Sequence, residues 1–182
     1  NHAHIYGQVE ALLGAGAQCV SFFATEEDLA AEFAARYSQA RRAPSVHEIL
    51  EDRTIQLVAS ASINSERAPL GIEVMRHGKD FMVDKPGFTS LEQLAEAQRV
   101  QAETGRIYSI FYCERLAHPA TVRAGQLVQQ GAIGSVVQTI GLGPHRSRPE
   151  TRPAWFFERA RYGGVIADIG SHQFDQFLHF TG

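Results

Sequence analysis

Phe81-Met82-Val83-Asp84-Lys85-Pro86 is an apolar strand that stops on an acid, a lysine and a proline. In an open parallel sheet, ligands bind beyond the carboxyl ends of the strands, so a charged pair placed there faces a pocket. Pro86 fixes its own φ and biases Lys85 away from helix, which holds the ammonium group in one place. A solvated turn after a strand could read the same way, so the flanking sequence has to decide.

Outward from this stretch, strand and helix signals alternate. Cys19 to Phe23 is a β-rich apolar run, and Thr25-Glu26-Glu27-Asp28 opens a helix through Arg36 in the manner of a capping box. Ile55 to Ala59 is a second strand, and a helix from Glu66 to Arg76, closed by Gly78, leads into the strand that ends at Asp84. Thr89-Ser90-Leu91-Glu92 starts a helix to Thr104, which Gly105 terminates before the strand Ile107 to Phe111. Repeated units of this kind predict an α/β fold with a doubly wound parallel sheet covered by helices on both faces. After residue 118 the pattern changes to a helix Ala120 to Gln130, a strand Val136 to Leu142, a Pro- and Arg-rich stretch, and a helix from Gly164 to about His179. We expect residues 1–118 to form one domain and residues 119–182 to open a second, with flanking sequence at both ends.

Composition narrows the class. The 182 residues are 44% hydrophobic and 20% charged with a net charge of -3, so no global attraction to nucleic acid or anionic lipid is expected. No apolar run approaches the roughly 20 residues that cross a bilayer. Cys19 and Cys113 sit in apolar runs and read as buried thiols, which suits a reducing cytoplasm.

Asp168, Ser171, His172, Asp175 and His179 follow at spacings that put them on one stripe of the last helix, with Ile166, Ile169, Phe174 and Phe177 on other faces. Solvated stripes usually carry Lys, Glu and Arg, whereas this one offers short acids, histidines and a serine. Asp168 beside His172 can fix the imidazole tautomer and stabilise its protonated form, as a general base near neutral pH requires. A metal held by Asp168, His172 and Asp175 is the rival reading, and His2-Ala3-His4 has a weaker one, although no recognised metal spacing occurs. Gly163-Gly164, just upstream, would let a backbone or ligand approach closely.

Taken together, Asp84-Lys85-Pro86, Gly163-Gly164 and Asp168-Ile169-Gly170-Ser171-His172-Gln173-Phe174-Asp175 resemble the Gfo/Idh/MocA family, in order as well as in type. The resemblance implies a Rossmann domain over 1–118, whose first strand would precede residue 1, and the beginning of a substrate and oligomerisation domain over 119–182. It implies NAD as cofactor, with NADP as the alternative, and a sugar or polyol substrate. It points to Lys85, Asp168 and His172 as catalytic residues, and to Ser62, Ile63, Asn64, Asp84 and Lys85 beside the cofactor. The family's histidine just beyond Asn64 is replaced here, by Arg67 or thereabouts. Ala24 stands where an acid usually holds the adenosine ribose, and no Lys or Arg lies between Phe22 and Glu32, which leans toward NAD.

The implied activity is reversible oxidation of a secondary alcohol, in an oligomer joined through the C-terminal sheet. A catalytically inactive dinucleotide sensor of the same fold is the alternative class, and a metal-dependent isomerase or hydrolase a third. Tyr112, Glu114, Arg115 and His118 could border the pocket, and His145-Arg146-Ser147-Arg148 with Arg152 and Trp155 could meet an anionic substrate or form a solvated loop or subunit contact.

Overall fold

Strand pairing in the computed structural model, which describes residues 3–182 except 144 and 147, is parallel throughout. Helix α1 (His4–Gly14) leads to β1 (Ser21–Phe22), α2 (Glu27–Arg36), β2 (Arg41–Arg42) and α3 (Val46–Glu51). Then come β3 (Leu57–Ser60), α4 (Asn64–Arg76), β4 (Asp80–Asp84), α5 (Leu91–Thr104) and β5 (Tyr108–Phe111). Strands β1 and β2 form one ladder, and β3, β4 and β5 form another with β4 at its centre. Asp84 pairs with Phe111 at the last rung, so Lys85 is the first residue beyond the carboxyl edge.

Alternation along β4 sends Phe81 and Val83 to one face, where they meet Leu50 of α3 and Val74 of α4 in a fully buried cluster. Burying each such side chain is worth roughly 1.5–3 kcal/mol. Helix α4 carries Pro69 in its interior, which leaves the Ser65 carbonyl without its usual helical donor. The Gln93 amide of α5 donates to that carbonyl at 3.1 Å, so a side chain repairs the ladder that the proline breaks. At the start of α5 the Ser90 hydroxyl accepts from the Gln93 amide N–H at 3.3 Å, and Gly105 closes the helix at φ 66°.

Four expectations change. The Thr25 hydroxyl donates to the Glu26 carboxylate instead of capping, and Glu26 takes the N-cap position without a side-chain cap bond. Residues 135–142 form no strand: no segment among the described residues pairs with them, and an unpaired strand leaves its ladder groups without partners. The predicted last helix is split into a π turn (Ile166–Gly170) followed by the final α-helix. Cys19 and Cys113 are free and half-buried, not buried.

The later segment contributes α6 (Cys113–Leu116), α7 (Pro119–Gln129), two short 3-10 turns, α8 (Arg159–Tyr162), the π turn and α9 (Ser171–Thr181). Its polar stripe faces inward, with Asp168 and His172 buried, while Val165, Ile166, Phe174 and Leu178 are exposed. It docks through Trp155 and Tyr162, which pack against Ile63 at the start of α4. No helix of the described residues is long and apolar enough to cross a membrane.

Gly71 is where α4 meets the sheet: a Cβ there would run into the rings of Phe81 and Tyr108. Replacing a helical glycine by alanine ordinarily gains about 1 kcal/mol, but forcing two packed rings apart costs about 1–3 kcal/mol. We therefore expect Gly71→Ala to lower the urea midpoint, and a raised midpoint would show that the rings have room to move.

Candidate active site

The carboxyl edge of the central ladder is organised by Arg67, on the second turn of α4 and 1% exposed. Its guanidinium donates to the carbonyls of Ser62 at 2.8 Å, Asp84 at 3.1 Å and Pro86 at 3.2 Å, and also to the Lys85 carbonyl. Nη2 lies 3.3 Å from the Asp84 carboxylate, which also contacts His4 Nδ1 at 3.0 Å. Burial alone would raise the Asp84 carboxyl, but the His4 bond and the Arg67 charge outweigh it, so the group titrates below its ordinary range. Asp84 is thus a fixed anion that helps hold the strand end.

Lys85, freed from pairing with Asp84, turns its ammonium to the second segment. Nζ donates to Asp168 Oδ1 at 2.7 Å, and both residues are buried. The other oxygen, Oδ2, accepts from the Tyr162 hydroxyl at 2.9 Å. Burial and then the Asp168 charge push the Tyr162 phenol well above its ordinary pKa, so it remains a donor. Asp168 and His172 are neighbours on consecutive turns, yet the expected bond between them is not formed, because the carboxylate is held by Lys85 and Tyr162. His172 is 4% exposed, stands edge-on to Tyr112 with ring centroids 6.0 Å apart, and its Nδ1 has no hydrogen-bond partner.

The predicted cofactor neighbours divide. Ile63 is part of the apolar dock, and the Asn64 amide donates to the Tyr162 carbonyl at 2.9 Å, so both tie the two segments together. Ser62 stands beyond β3 with a buried hydroxyl that has no partner, as has Asp84 Oδ1. Ser62 Oγ, Asp84 Oδ1 and His172 Nδ1 are unsatisfied atoms around one strand edge, which fits a polar ligand bound there.

At the end of β1 the sheet supplies what sequence spacing did not show. Pairing with β2 brings Arg42 across, where it donates twice to the Glu27 carboxylate at 2.7 and 2.6 Å and reaches the Ala24 carbonyl at 3.5 Å. The acids beside Ala24 therefore do have a cationic neighbour.

Arg115 is occupied by Asp175, with two bonds of 2.6 and 3.0 Å, and His118 and Glu114 line a cavity of about 550 Å³ with Gln173 and Gln176. With Asp168 and Asp175 each paired to a cation, the metal reading of that stripe loses its two carboxylate donors. Trp155 is buried in the dock and Arg152 lies over the Phe156 ring. His2 and Ser147 lie outside the described residues.

A family profile described as an oxidoreductase family with an NAD-binding Rossmann fold matches residues 6–112, more than half of the chain. The chain belongs to the Gfo/Idh/MocA family. That family's C-terminal domain matches residues 121–182. A scyllo-inositol 2-dehydrogenase (NAD(+)) of Bacillus subtilis (strain 168) is 29% identical over 136 residues, 75% of this chain and 38% of that protein. A D-xylose dehydrogenase of Paenarthrobacter nicotinovorans is 24% identical over 146 residues, 78% of this chain and 37% of the relative. The structure of a candidate oxidoreductase from Erwinia carotovora atroseptica SCRI1043 superposes with a TM-score of 0.95 at 43% identity, covering all of this chain and 54% of that one. A levoglucosan dehydrogenase in complex with NADH and levoglucosan shares the fold at TM-score 0.75 and 22% identity, over 90% of this chain and 45% of its own. The chain thus spans about half the length of the solved relatives and less of the curated ones.

Arg67→Ala should cost about 3–5 kcal/mol in urea unfolding, because it leaves the Asp84 carboxylate buried without its cation. Arg67→Lys keeps the charge but lacks the planar fork, and should fall between the two. Equal stability of all three proteins would contradict the organising role of the guanidinium.

Proposed function

We propose that this chain forms the catalytic part of a nicotinamide-dependent dehydrogenase that reversibly oxidises a secondary hydroxyl of a sugar, polyol or related small molecule. The observation that carries this reading is the buried Lys85–Asp168 pair at 2.7 Å, with the unpartnered ring nitrogen of His172 one turn further along. A bound nicotinamide dinucleotide would supply the hydride chemistry. Ser62, Asn64, Asp84 and Lys85 are the residues proposed to stand beside it, with Ile63 backing them from the apolar dock.

In this reading His172 takes the hydroxyl proton. Burial chiefly, with Lys85 acting in the same sense, holds its pKa below the ordinary 6.5 against the opposing pull of Glu114, Asp84 and Asp168. A neutral imidazole is the competent base, so burial helps it. The Lys85 ammonium spends one proton on Asp168 and keeps others for the substrate oxygen as charge develops there. Asp168 thus neutralises and aims Lys85, and its effect on His172 is through space.

Glu26, Glu27 and Asp28 beside Ala24 support NAD, and Arg42, held by Glu27, is the residue a 2′-phosphate would have to recruit. The free cysteines are in keeping with a reducing cytoplasm, and the exposed Val137, Ile140 and Leu142 with assembly through the C-terminal segment.

Lys85→Ala and His172→Ala should each lower turnover by about 10² or more while the dinucleotide dissociation constant, read by nicotinamide fluorescence, changes little. Full activity in both would refute the assigned roles. Because the lowered His172 pKa keeps the ring neutral to lower pH, the acid limb of kcat/KM for alcohol oxidation should fall below 6.5. A limb centred above 7 would remove His172 as the base.

A further inference from the structure

We propose that His47, Glu51 and His77 bind a single divalent transition-metal ion of the zinc class, at a site separate from the carboxyl edge that carries Lys85. Each residue offers one ligand atom, and the three atoms lie within 4.8 Å of one another. Among the described residues no other group of three His, Cys, Asp or Glu side chains converges in this way.

The geometry is built by two helix ends. His47 and Glu51 are one turn apart on α3 and share a face, and the Ser45 hydroxyl fixes the start of that helix by accepting from the Glu48 N–H at 3.3 Å. His77 is the C-cap of α4, set by Gly78, which leaves the helix at φ 74°. Its Nδ1 lies 2.8 Å from the Glu73 carbonyl oxygen. A carbonyl only accepts, so Nδ1 is the protonated nitrogen and Nε2 is the one turned to the cluster. Support of this kind behind the second ring nitrogen is what metal-bound imidazoles usually have.

Nε2 stands 3.4 Å from Glu51 Oε1. That is long for a charge-assisted N–H···O bond, which closes to about 2.7–2.9 Å. It matches the roughly 3.3 Å between two ligands on one tetrahedral zinc with bonds of about 2.0–2.1 Å. Two imidazoles and a carboxylate favour zinc, nickel or copper over magnesium or calcium, and leave a fourth position for water. Three nearby cations are engaged elsewhere: Lys79 donates to the Asp52 and Ile55 carbonyls at 2.6 and 3.0 Å, Arg106 to the Gly78 carbonyl at 3.4 Å, and Arg41 pairs with Glu48. Glu51 and His77 also line a cavity with Gln56, Asp80 and Arg106, which places the site at the amino ends of the strands. An ion there would brace α3 against the end of α4 and take no part in the reaction at Lys85.

The test is a zinc titration of the metal-stripped protein against a chromophoric chelator, alongside thermal unfolding. Wild-type protein should bind one equivalent, and zinc should raise its Tm. His47→Ala and His77→Ala, both at exposed positions, should fold normally, bind at least about tenfold more weakly and lose the Tm shift. Absence of saturable binding, or equal binding by wild type and both variants, would overturn the proposal.

Discussion

The Arg67 guanidinium is the constraint on which the candidate site rests. Taking a cation out of water is costly unless its donors are all met, and here they are met by the carbonyls that end β3 and β4, together with the Asp84 carboxylate. The consequence is geometric. Two strand ends that would otherwise fray are bound to one rigid planar group on α4, and the Lys85 backbone is held by its own carbonyl. Asp84 Oδ2 is thereby shared between Arg67 and His4, and the Lys85 side chain has its counterion elsewhere. It finds it in Asp168.

That choice links two parts of the chain that are distant in sequence. Lys85–Asp168, Arg115–Asp175 and the Asn64 amide on the Tyr162 carbonyl span 83, 60 and 98 residues. Around them Ile63, Trp155 and Tyr162 exclude water, which strengthens the polar contacts they surround. The stripe on the π turn and α9 is therefore polar because it faces the ionic groups at the carboxyl edge of the central ladder, while Val165, Ile166, Phe174 and Leu178 are exposed. The usual amphipathic rule is reversed there for a physical reason.

Much of this was legible beforehand. The β-α alternation, the strand end at Asp84 and the glycine stops at 78 and 105 can be read from pattern, and the motifs single out Lys85 and Asp168, which the fold brings to 2.7 Å. What escaped were partners. In the sequence Arg67 is only a substitution for the family's histidine, since nothing there shows that one guanidinium collects four carbonyls. Tyr162 lay in an irregular stretch without a motif. Arg42 is not legible in the sequence because spacing along one strand says nothing of its neighbour, and only parallel pairing brings β2 beside β1. The strand expected at Val136 to Leu142 failed for the opposite reason: propensity was present, but a strand needs a second strand.

The 83-residue separation of Lys85 from Asp168 has a meaning in time. A ribosome adds about 5–20 residues per second, so the lysine is made roughly 4–17 s before its carboxylate exists. During that interval the central ladder and its helices can form, with Arg67 already closed on the strand ends, while the ammonium waits in water. The final burial of the charge is then a late event, coupled to arrival of the second segment, and a nascent chain halted before residue 168 would carry a folded sheet with a hydrated lysine at its edge.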